Sequence, residues 1–320
     1  MRMSDQLVAL RDDPARQEAV KSAAMSMRNA WAARPRVQVL TAALAKYARG
    51  AAIEACEDLA ELVSVQDIAR SFVEEWIAQV VALLEEHPLA RHEFESRSGG
   101  GVSSVTLASS GRSRLDLIVS CAKDEDCDQQ SLALQFASVE RHEICLSGSA
   151  EILVGRLERD RLEIERRSFA AEDRLEFAAD TMAKSVLSCS PGFAVLRLSR
   201  NCTDPSPTRD IRVSDGALLH QSSGDMSDSR SEIAMALLAR MRRRDAVPAM
   251  MALAERGSDH LRWEAVRNCL ALDVRQGFQV LAGIAASADD PLCAPAWALR
   301  AQLIEHHPQL LELETQTCPA

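Results

Sequence analysis

The pattern of apolar and polar positions changes twice along the chain. In the first stretch apolar side chains recur every three or four residues: Val20, Ala24, Met27 and Trp31; Val37, Leu40, Leu44 and Tyr47; Val65, Ile68, Phe72, Trp76, Val80 and Leu83. Each set lies on one helical stripe, which predicts helices that bury a single face against something else. Asp13 followed by Pro14 reads as an N-cap with proline in the first turn, and Pro35 opens a second helix that ends at Gly50. Ser64-x-x-Asp67 resembles a capping box that would start the next helix, and His87-Pro88 would end it.

After a polar stretch that reads as a linker up to Gly99-Gly100-Gly101, the period shortens to two. Strands are predicted over 102–108, 114–121, 132–138, 142–146, 150–157, 161–168, 174–177, 184–189 and 193–199. A hairpin follows across Ser214-Asp215-Gly216, and Glu158-Arg-Asp160 would join another. Many short strands at close spacing predict an antiparallel sandwich or barrel.

The last ninety residues repeat with a period of 31. Ala234, Ala265 and Ala296 fall in step, as do Met235, Val266 and Trp297, and Met241, Leu272 and Leu303. A repeat of this length predicts stacked helical hairpins, each too small to bury its own apolar face alone. The fold class expected is therefore α+β multidomain: an N-terminal helical segment (1–90), a central antiparallel β domain (101–221) and a C-terminal α-helical repeat array (229–314).

Two resemblances sharpen this. The array is similar to HEAT-type repeats of the bilin-lyase variety, through Arg262-x-x-Ala265, Leu270-Ala-Leu-Asp273 and Gly277-Phe-x-x-Leu281. In that family an Arg-x-x-Ala helix leads into a Leu-x-Asp turn and a second apolar helix, and such arrays imply a protein partner. The central block resembles cupin β-barrels in its strand rhythm, through Leu146-Ser-Gly-Ser-Ala-Glu-Ile-Leu-Val154 and the segment from Arg166 to Phe177. It departs from them at Ala171-Glu172-Asp173, where cupins carry Pro-Gly-Asp, and it has no His-x-His, the motif that begins their metal site.

Composition narrows the function. Apolar content of 47% with 26% charge is that of a globular protein, and the 4% of aromatics leaves burial to Ala, Leu, Val and Met. The net charge of −10 argues against nucleic acid as a partner. The one basic run, Arg240-Met-Arg-Arg-Arg244, falls at a predicted helix end, where it complements the carbonyl terminus; a phosphate or RNA patch is the other reading. No apolar run approaches the roughly 20 residues of a membrane helix and no leader is visible, so no membrane association is expected. Nine scattered cysteines suit reduced thiols in a cytoplasm.

Candidate chemistry is sparse, and no catalytic residue, cofactor or metal is assigned. His142 and Glu143 alternate to opposite faces of one strand. Facing inward, His142 with His220 and a carboxylate would make a two-histidine, one-carboxylate site for iron(II), with Cys145 nearby; a hydrogen-bonded core or rim histidine is the plainer alternative. Cys121 and Cys127 lack a second pair and read as an acidic loop. His220-Gln-Ser-Ser-Gly-Asp225 reads as a polar linker or as one wall of a ligand site. On the central repeat, Arg262, Trp263 and Glu264 are candidates for a partner interface, Trp263 serving equally well as internal packing. His306-His307 reads as a helix end. Glycine-rich nucleotide loops and His-Glu-x-x-His are missing.

Together these readings predict a non-catalytic binding, regulatory or scaffold protein. Its β domain would hold a small-molecule ligand, and its array would take a protein partner. The alternative is a degenerate cupin-type metalloenzyme, an oxygenase or isomerase.

Overall fold

The structure is a computed structural model that describes residues 13–120, 132–158 and 161–312. The chain divides into two compact units, Met1–Asp204 with Asp210–Leu219, and Pro205–Arg209 with His220–Ala320. N-terminal helices, antiparallel sheets and C-terminal helices follow one another in that order, an α+β multidomain architecture.

Among the described residues of the first unit the α-helices α1 (Pro14–Ala32), α2 (Pro35–Ala48), α3 (Glu57–Ser64) and α4 (Gln66–Glu86) come first. Asp13 caps α1 by accepting from the Arg16 amide at 3.0 Å, and Pro35 occupies the first turn of α2. The capping box expected at Ser64 does not form. Ser64 is instead the last residue of α3, a helix that the stripe pattern did not flag. Its hydroxyl donates back to the Glu61 carbonyl at 3.3 Å, and α4 starts at Gln66 with no side-chain cap. The reason lies in the joint: the Val65 amide bonds the Glu61 carbonyl at 2.9 Å, so one helix passes into the next across a single residue.

The strands are β1 (Ser96–Gly99), β2 (Val102–Ser110), β3 (Ser113–Ser120), β4 (Ala133–Phe136), β5 (Val139–Ser147) and β6 (Ser149–Glu158). They continue with β7 (Arg161–Ala170), β8 (Arg174–Phe177), β9 (Met182–Cys189), β10 (Phe193–Asn201), β11 (Thr208–Arg212) and β12 (Leu218–Ser222). The polar stretch before Val102 is a hairpin rather than a linker: β1 pairs with β2 across Gly100 and Gly101, both left-handed at φ 58° and 78°. β6 and β7 pair as the expected hairpin up to Glu158 and Arg161, while residues 159–160 of its turn and the expected Cys121–Cys127 loop lie outside the described residues.

The order β1-β2-β3-β10-β5-β8 makes a six-stranded antiparallel sheet, and β7-β6-β9 makes a three-stranded one. β5 passes into the smaller sheet at Gly148, whose φ of 71° and close approach to Phe193 (2.8 Å from a would-be Cβ to its Cα) admit no side chain. Strand alternation then assigns the layers. Leu107, Leu115, Leu117, Ile144, Leu146, Leu196 and Leu198 join Trp31, Leu40, Leu44, Tyr47, Phe72 and Trp76 in one core, so the helices cover one face of the large sheet. Cys145, Leu175, Phe177, Phe193 and Val195 point the other way and meet Ile152, Val154 and Phe169 between the sheets. The first unit is thus three layers: helices, large sheet, small sheet.

The second unit carries α5 (Met226–Arg240), α6 (Val247–Glu255), α7 (Asp259–Leu272), α8 (Val274–Ala286) and α9 (Cys293–His306) around one core that includes Met235, Val266, Cys269, Phe278 and Leu281. Asp225, Ser258 and Asp273 cap α5, α7 and α8 with their side chains. Met235 and Val266 are buried at 2% and 0%, whereas Trp297, which holds the same register one repeat later, is 60% exposed.

Candidate functional site

Between the two sheets the packing is apolar at one end and charged at the other. On the inward face of β5, Arg141 and Glu143 alternate with Cys145; β10 places Arg197 directly opposite Glu143, and β9 of the facing sheet contributes Lys184. The Glu143 carboxylate is fully buried. One oxygen accepts from Arg197 Nε at 2.7 Å, and the other accepts from Lys184 Nζ, a pair that ties the two sheets together. Lys184 is 7% exposed and Arg197 26%.

Rings enclose the cations. Lys184 Nζ lies 4.9 Å from the Phe169 centroid, and the Arg141 guanidinium lies 4.6 Å from that of Phe177. Beside them Asp116, also buried, accepts from Thr106 at 2.6 Å and from Arg114 Nε at 2.8 Å.

The electrostatics follow from burial and charge count. Desolvation alone would raise the Glu143 pKa, but Arg197, Lys184 and Arg141 outweigh it and hold the carboxyl at about 2. Lys184 is pushed below the usual lysine range by burial, with Arg197 and Arg141 acting in the same direction and Glu143 opposing them. Burial drives the Cys145 thiol up to about 11, so it is a core thiol and not a ready nucleophile.

Each residue singled out from sequence has its own surroundings within its unit. His142 turns to the helical side of the sheet, its ring 6.4 Å from that of Tyr47 and its Nδ1 3.8 Å from Glu176; burial lowers its pKa. Glu143 faces the interior instead, in the cluster just described. His220 is exposed on β12 and belongs to the second unit. Among the described residues no group of three or more His, Cys, Asp or Glu side chains is arranged to hold a metal.

Downstream of His220, Ser223 takes the Asp225 amide on its hydroxyl, and its carbonyl accepts from Ser229. The polar segment is thus a helix-start motif. His306 bonds its own helix through Gln302.

In the array, Arg262 is spent internally: it donates to the Ala254 carbonyl at 3.0 Å, to Asp259 at 3.3 Å and to Asp290. Trp263 is half-buried against the helical core, and Glu264 accepts from Arg267 at 2.7 Å.

Sequence reasoning passed over Arg141, Lys184 and Arg197. A signal was present. In Val195-Leu-Arg197 and Met182-Ala-Lys184-Ser-Val186 a cation stands in step with apolar residues of the inward face, and an inward charge in a buried strand needs a partner.

No family model and no curated protein matches the chain. Several solved structures are similar to it in fold over about a third of its length. One is KdgF from a Halomonas species, with 14% identity, 35% of this chain and 92% of that chain covered, and a TM-score of 0.26. A second is a cupin superfamily protein from Desulfitobacterium hafniense (16% identity, 33% and 83% covered, TM-score 0.24). A third is the polyketide cyclase RemF from Streptomyces resistomycificus (13% identity, 39% and 84% covered, TM-score 0.27).

Proposed function

We propose that this chain is a cytoplasmic binding protein rather than a catalyst. Its sandwich, which we read as cupin-like, holds a small molecule, and its C-terminal helices, which we read as HEAT-like, take a protein partner.

The observation that carries the first half is the occupancy of Glu143. Its oxygens are bonded to the buried Lys184 and the half-buried Arg197, so recruiting it to a metal would strand both cations without a counter-charge. Breaking a buried pair in that way costs about 3–5 kcal/mol. The unsatisfied Arg141 Nε and the solvent-touching edge at Arg197 suit the cluster to fixing the polar part of a ligand.

The second half is supported by side chains the array leaves uncovered. Ile233 and Leu237 on α5, with Met241 at its C-cap, are 63%, 54% and 63% exposed. Trp297 is uncovered as well. Apolar faces of this kind mark interaction surfaces, with tryptophan favoured at their energetic centres. Arg262, by contrast, supports stacking within the array.

Native mass spectrometry of gently purified protein, with elemental analysis of the same sample, tests the reading. A bound small molecule without stoichiometric metal supports it. A stoichiometric transition metal, together with turnover of a substrate, overturns it in favour of an oxygenase or isomerase.

A further inference from the structure

The charges inside the sandwich do not balance. Among the described residues Arg141, Lys184 and Arg197 surround the carboxylate of Glu143, three positive groups against one negative. Asp116, the next acid on the same face, is taken by Thr106 and Arg114 and does not make up the difference. Uncompensated charge in a desolvated interior is strongly unfavourable, and contact with the faces of Phe169 and Phe177 offsets only part of it.

Donor capacity is left over as well. Arg141 Nε is buried and finds no hydrogen-bond partner among the described residues, and its terminal nitrogen only reaches the Met182 carbonyl at 3.5 Å. Arg197 spends its Nε on Glu143 and keeps a quarter of its side chain in contact with solvent. The cluster is therefore closed at Glu143 and open at Arg197, with unspent guanidinium donors between.

We propose that the sandwich binds an oxyanion, a carboxylate or phosphate group on a small and largely apolar body, seated between Arg141, Arg197 and Lys184. Guanidinium groups match such anions in geometry and charge, and the anion balances the surplus that Glu143 leaves. The inference rests on the reading that the sandwich holds a ligand, and it specifies that ligand's chemistry.

The test is calorimetric titration of the full chain with inorganic phosphate and, separately, with malonate, each against chloride at matched ionic strength. Saturable one-to-one binding is expected. Phosphate alone would identify a phosphoester ligand, and malonate alone an organic acid. Arg141→Met and, at the open edge, Arg197→Gln are each expected to weaken binding about 10- to 100-fold, the value of one charge-assisted bond. Circular dichroism shows which variants keep the fold.

The absence of saturable binding of either anion overturns the proposal, as does binding that neither folded variant weakens. A neutral molecule found in the purified protein, with no anion binding, sinks the oxyanion inference and leaves the ligand-holding reading intact. Neither neutral molecule nor anion sinks both.

Discussion

The guanidinium of Arg200 lies 4.0 Å from the ring centroid of Tyr47, so the last turn of α2 is clamped to β10 of the large sheet. The clamp is polar on every side. Arg200 donates to the Tyr47 and Ala51 carbonyls at 2.9 and 2.7 Å and to Glu140, which in turn accepts from the Tyr47 hydroxyl at 3.3 Å. Helical layer and sheet share a core around this point, which is why they form one unit despite their different sequence textures.

Tyr47 is the only tyrosine, and it reports on that clamp. Burial pushes its phenol above the ordinary value of about 10, with Glu140 adding to the shift and Arg200 opposing it. A raised folded pKa contributes stability that is complete below the unfolded value and is lost as pH rises past it. Tyrosinate absorbance should therefore appear only together with loss of near-ultraviolet dichroism on alkaline titration. Ionisation at about pH 10 in protein that remains folded would contradict the buried environment.

Glu143 sets the opposite end of the pH range. Its folded pKa of about 2 lies below the usual carboxylate value of 4.5, so its contribution is present above about 4.5 and lost as pH falls toward 2. Glu143→Gln removes this part of the acid dependence. At neutral pH it also costs about 3–5 kcal/mol, because Lys184 remains buried, and Arg197 half-buried, without their partner. Urea unfolding at several pH values separates the two effects, and an unchanged acid limb would show that Glu143 is not the group responsible.

Glu172 adopts a left-handed backbone, φ 76°, in the turn between β7 and β8. The turn is closed by the Ala170 amide, which donates to the Asp173 carboxylate at 2.8 Å. A side chain in that region costs about 1–2 kcal/mol, part of which glycine returns through its own greater freedom when unfolded. Glu172→Gly should stabilise the protein by up to about 1 kcal/mol, whereas Glu172→Ala should not. Equal thermal shifts for the two would attribute the effect to lost charge rather than to backbone strain.

The helix stripes were legible because periodicity reports burial directly: Trp31, Leu40 and Phe72 are buried where the helical period places them, while alternation in β5 separated the two faces without saying which one the sheets enclose. Two elements and one cap were not. Helix α3 is too short for a stripe, β1 is polar and exposed, and Ser64 could cap one helix or finish another, a choice made by the neighbouring backbone. The charged cluster was missed for a different reason. Its members come from β5, β9 and β10, and only the pairing of sheets brings Lys184 to Glu143. His142 drew attention by residue type, yet its face of the strand belongs to the helices.

The crossing of α7 and α8 depends on one close approach that Gly277 permits. A Cβ on Gly277 would lie 2.4 Å from the Leu270 amide nitrogen and 2.6 Å from the Leu270 Cα, so α8 crosses α7 with backbone against backbone. Main chain cannot move aside as a flexible side chain can, and Gly277→Ala should cost about 3 kcal/mol, the upper end of overpacking effects. Gly283 lies on the same helix with open space around its would-be Cβ, so Gly283→Ala should instead gain up to about 1 kcal/mol from helix propensity. Hydrogen exchange of the amides around Cys269 and Phe278 reads both outcomes within the helical core. If the two alanines shift exchange in the same direction, the tight crossing of α7 and α8 is not what Gly277 provides.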